Sequence, residues 1–281
     1  MPLTWQTARF TIDLAARPQV MGIVNATPDS FSDGGHLAAT SQACAHCDRL
    51  LAEGVDILDI GGESTRPGSQ PPPLDVELGR VLPVIRHAVT LGVPVSVDTS
   101  RPEVMAAALD AGADIVNDVR ALQQPGALAA VAAHPRAGVC LMHMQGEPAT
   151  MQQAPHYEDV LAEVAAFFGQ RLKQAMAAGI AAERIVLDPG YGFGKALQHN
   201  LALFRRQSQL LALGRPLLVG WSRKGTLGQL TGRPVDQRMP ASLGAALAAV
   251  AHGARIVRVH DVAATVDALK VWNAAGLGAV A

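Results

Sequence analysis

A (β/α)8 TIM barrel preceded by a short N-terminal β-hairpin is the fold this sequence predicts, and three observations predict it. Eight short runs rich in Val, Ile and Leu recur along the chain. Each is followed by a polar loop and then by a longer segment with helical spacing, and no linker rich in Gly, Ser or Pro separates two halves. Near-continuous apolar runs mark parallel strands that are covered on both faces, and a doubly wound sheet more often shows fewer of them. The whole chain, residues 1–281, therefore reads as a single domain.

The elements follow in order. Residues 3–14 alternate loosely, with Leu3, Trp5, Phe10, Ile12 and Leu14 apolar, as a hairpin does. The eight runs are Val20 to Val24, Val55 to Ile60, Val93 to Val97, Ile115 to Val116, Gly138 to Met142, Arg184 to Leu187, Pro216 to Val219 and Arg255 to Val259. The fourth is short and rests on its place in the series. Among the helical segments, Ser41 to Glu53 follows the first run after a long polar loop. Ser100, with Pro102 two residues on, resembles an N-cap ahead of Val104, Ala108 and Leu109, and Gly112 is placed as a stop. Val160, Leu161, Val164, Phe168, Leu172 and Met176 recur at helical spacing and end near Gly179. Ser242 can cap Leu243 to His252, Asp261 reads as the cap of the last helix, and Val262 to Ala275 closes the chain.

Composition narrows the function classes. With 49% hydrophobic and 17% charged residues and a net charge of -1, the chain has no basic excess to hold nucleic acid or a membrane surface, so any phosphate must be bound locally. No apolar stretch approaches the roughly 18 residues of a membrane span, and the N-terminus lacks a basic region leading into an apolar one. Three cysteines, Cys44, Cys47 and Cys140, leave one unpaired in any disulfide scheme, which suits the cytoplasm. Cys44 and Cys47 form a C-x-x-C inside a helical pattern rather than after a strand, so packing is favoured over redox chemistry.

Barrels build their sites at the C-terminal ends of the strands, and here those ends are polar nearly everywhere. Asn25 follows the first run, Asp59 lies near the end of the second, Asp98 ends the third, and Asn117 with Asp118 ends the fourth. His143 ends the fifth and Asp188 the sixth; Ser222, Arg223 and Lys224 follow the seventh, and His260 and Asp261 the eighth, just after Arg258. Any one of these could cap a helix; their recurrence points to an acidic floor with a basic rim. Buried carboxylates need N–H donors and the rim needs phosphate, which describes a flat heterocycle bearing amino groups and a phosphorylated arm.

Two loops stand out. VDILDIGGESTRPG, from Val55 to Gly68, carries a carboxylate inside a strand and then Gly61 and Gly62, where the backbone must be approached closely, and Arg66, a planar fork for carboxylate or phosphate. The loop from Asn25 runs through Pro28, Phe31 and Gly34 to Ser41, long for its class; it reads as a lid over the mouth, or as an unpacked insertion. Asp188 to Lys195, DPGYGFGK, matches a dinucleotide loop poorly and reads as a tight turn that brings Phe193 to the mouth.

Taken together, MGIVNATPDSFSDGG, DIGGESTRPGS, VSVDTS, VNDVR, LMHMQGEPATMQ, LDPGYGFGK, GWSRKG and RIVRVHDV closely resemble the dihydropteroate synthase family, from Val20 to Trp272 and in the right order. The resemblance implies a (β/α)8 barrel, usually a homodimer, that joins 4-aminobenzoate to 6-hydroxymethyl-7,8-dihydropterin diphosphate and releases pyrophosphate with magnesium (Mg2+). It implies pterin contacts at Asp98, Asn117, Met142, Asp188, Gly220 and Lys224. For the pyrophosphate it implies Asn25, Asp59, Arg258 and His260, with Asn25 also on the metal. For 4-aminobenzoate, where sulfonamides compete, it implies Thr65, Arg66, Pro67, Phe193 and Ser222. The chain departs from the family pattern at Ala26, often valine there, and in its Pro-rich second loop, Pro71 to Pro73. Asp98, Lys224 and Arg258 are expected to carry the chemistry. A methyltransferase sharing the pterin floor would have no use for the STRPG and SRK loops, and a silent pterin-binding paralogue would not need Lys224, Arg258 and His260.

Overall fold

The structure, a computed structural model, describes residues 3–27, 35–64 and 68–277, with backbone alone for 35–38. The chain opens with β1 (Thr4–Gln6) and β2 (Thr11–Asp13), then β3 (Gln19–Asn25), α1 (Gly35–Ala52), β4 (Ile57–Gly61), α2 (Leu74–Val89), β5 (Val95–Asp98) and α3 (Pro102–Asp110). It continues through β6 (Ile115–Asp118), α4 (Ala127–Ala132), β7 (Gly138–Met142), α5 (Val160–Ala177), β8 (Ile185–Asp188) and α6 (Leu197–Arg205). The last part holds β9 (Leu217–Val219), α7 (Gly225–Thr231), α8 (Met239–Ala251), β10 (Ala254–Val259) and α9 (Val262–Ala274). Strands β3 to β10 form a closed barrel in sequence order, with β10 pairing in parallel with both β9 and β3.

Alternation along each strand sorts side chains between two cores. In β4, Leu58 and Ile60 face outward and join the layer between strands and helices, together with Val97, Val116, Leu141 and Leu187 of the neighbouring strands. Ile57 faces inward with Met21, Ile115, Val186, Leu218 and Ile256, and this inner cluster is capped from below by Trp5, Ile12 and Leu14 of the hairpin. Trp5 is fully buried and its indole Nε1 donates to the Arg184 carbonyl at 2.9 Å. A large apolar side chain moved from water into such a core stabilises by roughly 1.5–3 kcal/mol. Arg9 fastens the hairpin further, its Nε and Nη2 meeting the two oxygens of the buried Asp114 at 2.9 and 2.6 Å.

The cap assignments read from sequence are the part that the structure corrects. Helix α1 begins at Gly35, six residues before Ser41, so Ser41 is interior. Arg101, with extended backbone and no side-chain cap bond, precedes α3, and the proline at its start supplies the turn. Ser100 instead bonds the Asp118 carboxylate. Ser242 lies inside α8, where its hydroxyl donates to the Arg238 carbonyl at 2.8 Å and accepts from the Arg223 amide at 2.9 Å. In each case tertiary partners compete for the hydroxyl that sequence reasoning gives to a cap. Cys47 is buried in the outer core, where burial pushes its thiol up to about 12, the opposite of a reactive pair.

Candidate active site

The inward alternation that builds the inner core also builds the site. One step above Ile57, Ile115 and Val186 come Asp59, Asn117 and Asp188; register pairs Gly61 with Asp98, Asp98 with Asn117, and Met142 with Asp188. Asn25, Asp98, Asn117, Met142, Asp188, Gly220 and Arg258 thus stand around one rim, six strand ends and the residue that follows β9. A Cβ at Gly220 would first meet Arg258 Cβ at 3.8 Å and Lys224 Nζ at 3.9 Å, so its bare Cα leaves the floor open beside the two cations.

Arg258 is the centre of the floor. Its Nε donates to Asp59 Oδ2 at 2.6 Å and its Nη2 to Asp98 Oδ2 at 2.7 Å, so one guanidinium bridges two carboxylates from neighbouring strands. Asn117 Nδ2 adds a third bond, at 3.2 Å, to Asp59 Oδ2. Asp59 is 0% exposed, and its other oxygen, Oδ1, is buried with no hydrogen-bond partner among the described residues. A buried ion pair is worth little by itself, but removing one member leaves an uncompensated charge. Burial would lower the Arg258 pKa, yet Asp59 and Asp98 outweigh it and raise it. Burial pushes Asp98 up to about 7, against the pull of Arg258 and with Asp59 adding to the rise.

The opposite wall carries Asp188 and Lys224. Burial raises the Asp188 carboxyl, opposed by Lys224, and its Oδ1 accepts the Gly190 amide at 2.8 Å. Burial brings the Lys224 ammonium down to about 8, with Asp188 opposing. Lys224 Nζ donates to the Tyr191 carbonyl and stands 4.8 Å from the Phe193 ring centroid, a cation–π contact at the mouth. Ser222 and His260 pair with each other: Ser222 Oγ accepts from the His260 amide at 3.1 Å and lies 3.0 Å from Nδ1.

Other strand-end residues leave the cup. Asp118 faces outward, where its carboxylate accepts the Arg120 and Leu122 amides at 2.8 and 2.7 Å and shapes a turn with positive φ at Ala121 and Leu122. His143 packs edge-on against Phe167, ring centroids 4.9 Å apart, and burial followed by the nearby Lys195 pushes its pKa down to about 2. Asp261 makes no side-chain cap bond to α9; its carboxylate grips Arg223 at 3.1 and 2.5 Å, tying the loop after β9 to the loop after β10. A Cβ on Gly62 would lie 2.7 Å from Val81, so helix α2, and not a ligand, is what approaches that backbone. Thr65, Arg66 and Pro67, and the lid reading of the first loop from Pro28 to Gly34, lie outside the described residues. Of the expected aminobenzoate contacts, Phe193 and Ser222 stand at the mouth.

Sequence reasoning missed two supports. Glu77 of α2 is 0% exposed and accepts from Thr99 Oγ1 at 2.6 Å. Lys195, quoted only as the end of the glycine loop, is buried, with four acceptors within hydrogen-bond distance sharing its three N–H donors. A lysine closing a loop of three alternating glycines was the available signal. A flank cavity of about 400 Å3 is lined by Glu63, Ser100, Arg101 and Arg120 among others, and the two cations among its described lining residues are committed: Arg101 faces Glu77 at 3.4 Å and Arg120 pairs with Glu147.

Known proteins match this arrangement over nearly its whole length. The family profile described as pterin binding enzyme matches residues 21–260. A dihydropteroate synthase of Neisseria meningitidis serogroup B is 54% identical over 279 residues, covering 97% of this chain and 98% of its own. The structure of Xanthomonas albilineans dihydropteroate synthase with 4-aminobenzoic acid superposes with a TM-score of 0.92 at 51% identity, covering 98% of this chain and 99% of that one. A sulfonamide complex of the Yersinia pestis dihydropteroate synthase superposes with a TM-score of 0.92 at 46% identity, covering 98% and 99%.

Proposed function

The chain belongs to the pterin-binding enzyme family, among its dihydropteroate synthases, and from that premise we propose how the cup divides between its substrates. The reaction condenses 6-hydroxymethyl-7,8-dihydropterin diphosphate with 4-aminobenzoate to 7,8-dihydropteroate and pyrophosphate, in folate biosynthesis. The pterin lies on the floor. Asp188 and Asn117 meet its amino and ring N–H edge, Met142 and the bare Gly220 lie against its faces, and Lys224 and Asp98 flank it. Its diphosphate arm points to Arg258, His260 and Asn25, and Asp59, sealed beneath, acts on that end through Arg258. 4-Aminobenzoate enters beside Phe193 and Ser222, with Thr65, Arg66 and Pro67 assigned to the same end. Sulfonamides are expected to compete there.

The observation that carries this division is the Arg258 bridge to Asp59 and Asp98. It places a fixed cation where a leaving diphosphate gathers charge and a carboxylate where the pterin becomes electron-poor. The C–O bond to diphosphate breaks early, the pterin methylene carries the positive charge, and the aminobenzoate nitrogen attacks it and loses a proton. No side-chain nucleophile takes part. Magnesium takes few protein oxygens when phosphate and water complete its shell. Among the described residues no cluster of three or more His, Cys, Asp or Glu is placed to hold a metal, so the neutral carboxamide of Asn25 at the rim suits a metal shared with the diphosphate. Bound there, the metal would neutralise charge on the leaving group.

Two coarser properties complete the reading. Leu230, Val235 and Met239 expose 52%, 56% and 42% of their surface in and around α7 and α8, a face for a homodimer; the inward Ala246, Val250 and Leu269 serve the barrel instead. Three free cysteines suit the cytoplasm, and no helix among the described residues is long and apolar enough to cross a membrane. The test is to mix the protein with magnesium, pterin diphosphate and 4-aminobenzoate. One pyrophosphate per dihydropteroate, dependent on both substrates, is the expected result; pterin binding without release, or methyl transfer from methyltetrahydrofolate, would overturn the reading.

A further inference from the structure

We propose that Lys195 is a positioning residue for the reaction: its buried ammonium locks the loop after β8, which carries Phe193, onto the end of β7, and so fixes the aminobenzoate wall against the pterin floor. The inference rests on the synthase reading given above. The loop from Asp188 to Lys195 lies backbone against backbone on His143 to Gln145. Gly190 and Gly194 have φ of +66° and +58°, and a Cβ on either would collide with a carbonyl, of His143 and of Gln145 respectively. Such close approach takes the carbonyls of His143 and Gly190 out of water and leaves that of Phe193 partly buried, and a desolvated carbonyl needs a donor. Lys195 Nζ supplies it, 3.2 Å from His143 O, 3.0 Å from Gly190 O and 3.1 Å from Phe193 O, with His143 Nδ1 at 2.9 Å.

One ammonium thus ties the loop to the strand next to Met142 and fixes the backbone on either side of Tyr191 and Phe193. Its own position is set from behind by Asn200, whose Nδ2 donates to the Lys195 carbonyl at 2.9 Å and whose Oδ1 accepts the Gly192 amide at 2.8 Å. The His143 ring packs on Phe167, and opposite a donating Lys195 Nζ its Nδ1 takes the acceptor role. The Asp188 backbone, by contrast, is held by strand β8, where it pairs with Met142 of β7, and only its Oδ1 reaches the loop, at the Gly190 amide. Loss of the lock should therefore displace the aminobenzoate wall while leaving the pterin floor in place.

Steady-state kinetics of the full chain test this, with the folded fraction of each variant fixed by its melting curve. For Lys195→Met the KM for 4-aminobenzoate should rise about tenfold while the KM for the pterin diphosphate stays within about twofold, since a small misplacement of one reactant is enough to cost that factor. If Lys195→Met does not fold, His143→Leu removes one of the four acceptors and should raise the same KM about threefold, and His143→Asn, whose Oδ1 replaces Nδ1, should restore it. Unchanged KM values in a variant that merely melts earlier would overturn the proposal and leave Lys195 as a purely structural residue. Equal rises in both KM values, or a His143→Asn no better than His143→Leu, would overturn it too. A wild-type protein that releases no pyrophosphate would instead sink the synthase reading, so the two failures are told apart in one assay.

Discussion

The two ends of the barrel are built from the same strands and solve opposite problems. At the N-terminal end the hairpin drives Trp5, Ile12 and Leu14 into an apolar inner core, and the charged pair there, Arg9 with Asp114, is fully matched, with Asp114 also accepting the Val95 amide at 2.9 Å. At the C-terminal end the same inward positions carry Asp59, Asp98, Asn117, Asp188 and Arg258; one Asp59 oxygen has no partner among the described residues, and burial raises the pKa of Asp98 and Asp188. The comparison teaches that inward alternation fixes position alone, and residue type decides whether a layer stabilises or is held ready for a ligand.

Substitutions at each end should separate stability from activity. The largest effect is expected for Arg258→Ala, which strips the shared partner from Asp59 and Asp98. Turnover should fall by about a thousandfold or more, in line with the loss of a preorganised charge at a leaving group. Stability should fall by about 3–5 kcal/mol, read by urea denaturation at pH 7.5, because the buried Asp59 and the half-buried Asp98 lose their counter-charge. Arg258→Lys should rescue little, since a single ammonium cannot reach both carboxylates with the planar fork. Trp5→Ala should come next. It should also cost about 3–5 kcal/mol in the same experiment, through the cavity at the base of the barrel, while kcat per folded molecule stays at the wild-type value. Loss of kcat in proportion at both ends would break the contrast.

Much of this division was legible in the sequence, for identifiable reasons. The strands could be read because both faces of a covered parallel strand are apolar, and Asp59 stood out inside such a run. What the sequence left open was direction and competition. His143 follows Met142, but strand alternation ends there, and the ring turns outward to Phe167. Asp261 has the residue type and the place of a cap, yet Arg223, far off in sequence, claims its carboxylate. Ser242 looks like a helix start only if Arg238 and Arg223 are unseen. Lys195 is the most instructive case: the alternating glycines before it hint at close backbone contact, but only the fold brings the carbonyls of His143, Gly190 and Phe193 together around its Nζ. Gly62 reads as room for a ligand until α2 is in place.

The smallest of the expected effects is the most direct measurement of the central claim, that burial tunes the charges of the cup. Asp98, raised to about 7, is needed as the anion, so activity should rise as pH climbs through that value and the proton leaves. Lys224, lowered to about 8, is needed as the cation, so activity should fall as pH passes that value. The profile of kcat/KM for the pterin diphosphate, which reports groups of the free enzyme, should therefore be bell-shaped, changing by at most about tenfold per pH unit on either limb. In Asp98→Asn the acid limb should disappear and the residual rate should be low, with the limb near 8 kept. A wild-type profile flat from about pH 6 to 9, or an acid limb that survives in Asp98→Asn, would contradict the claim.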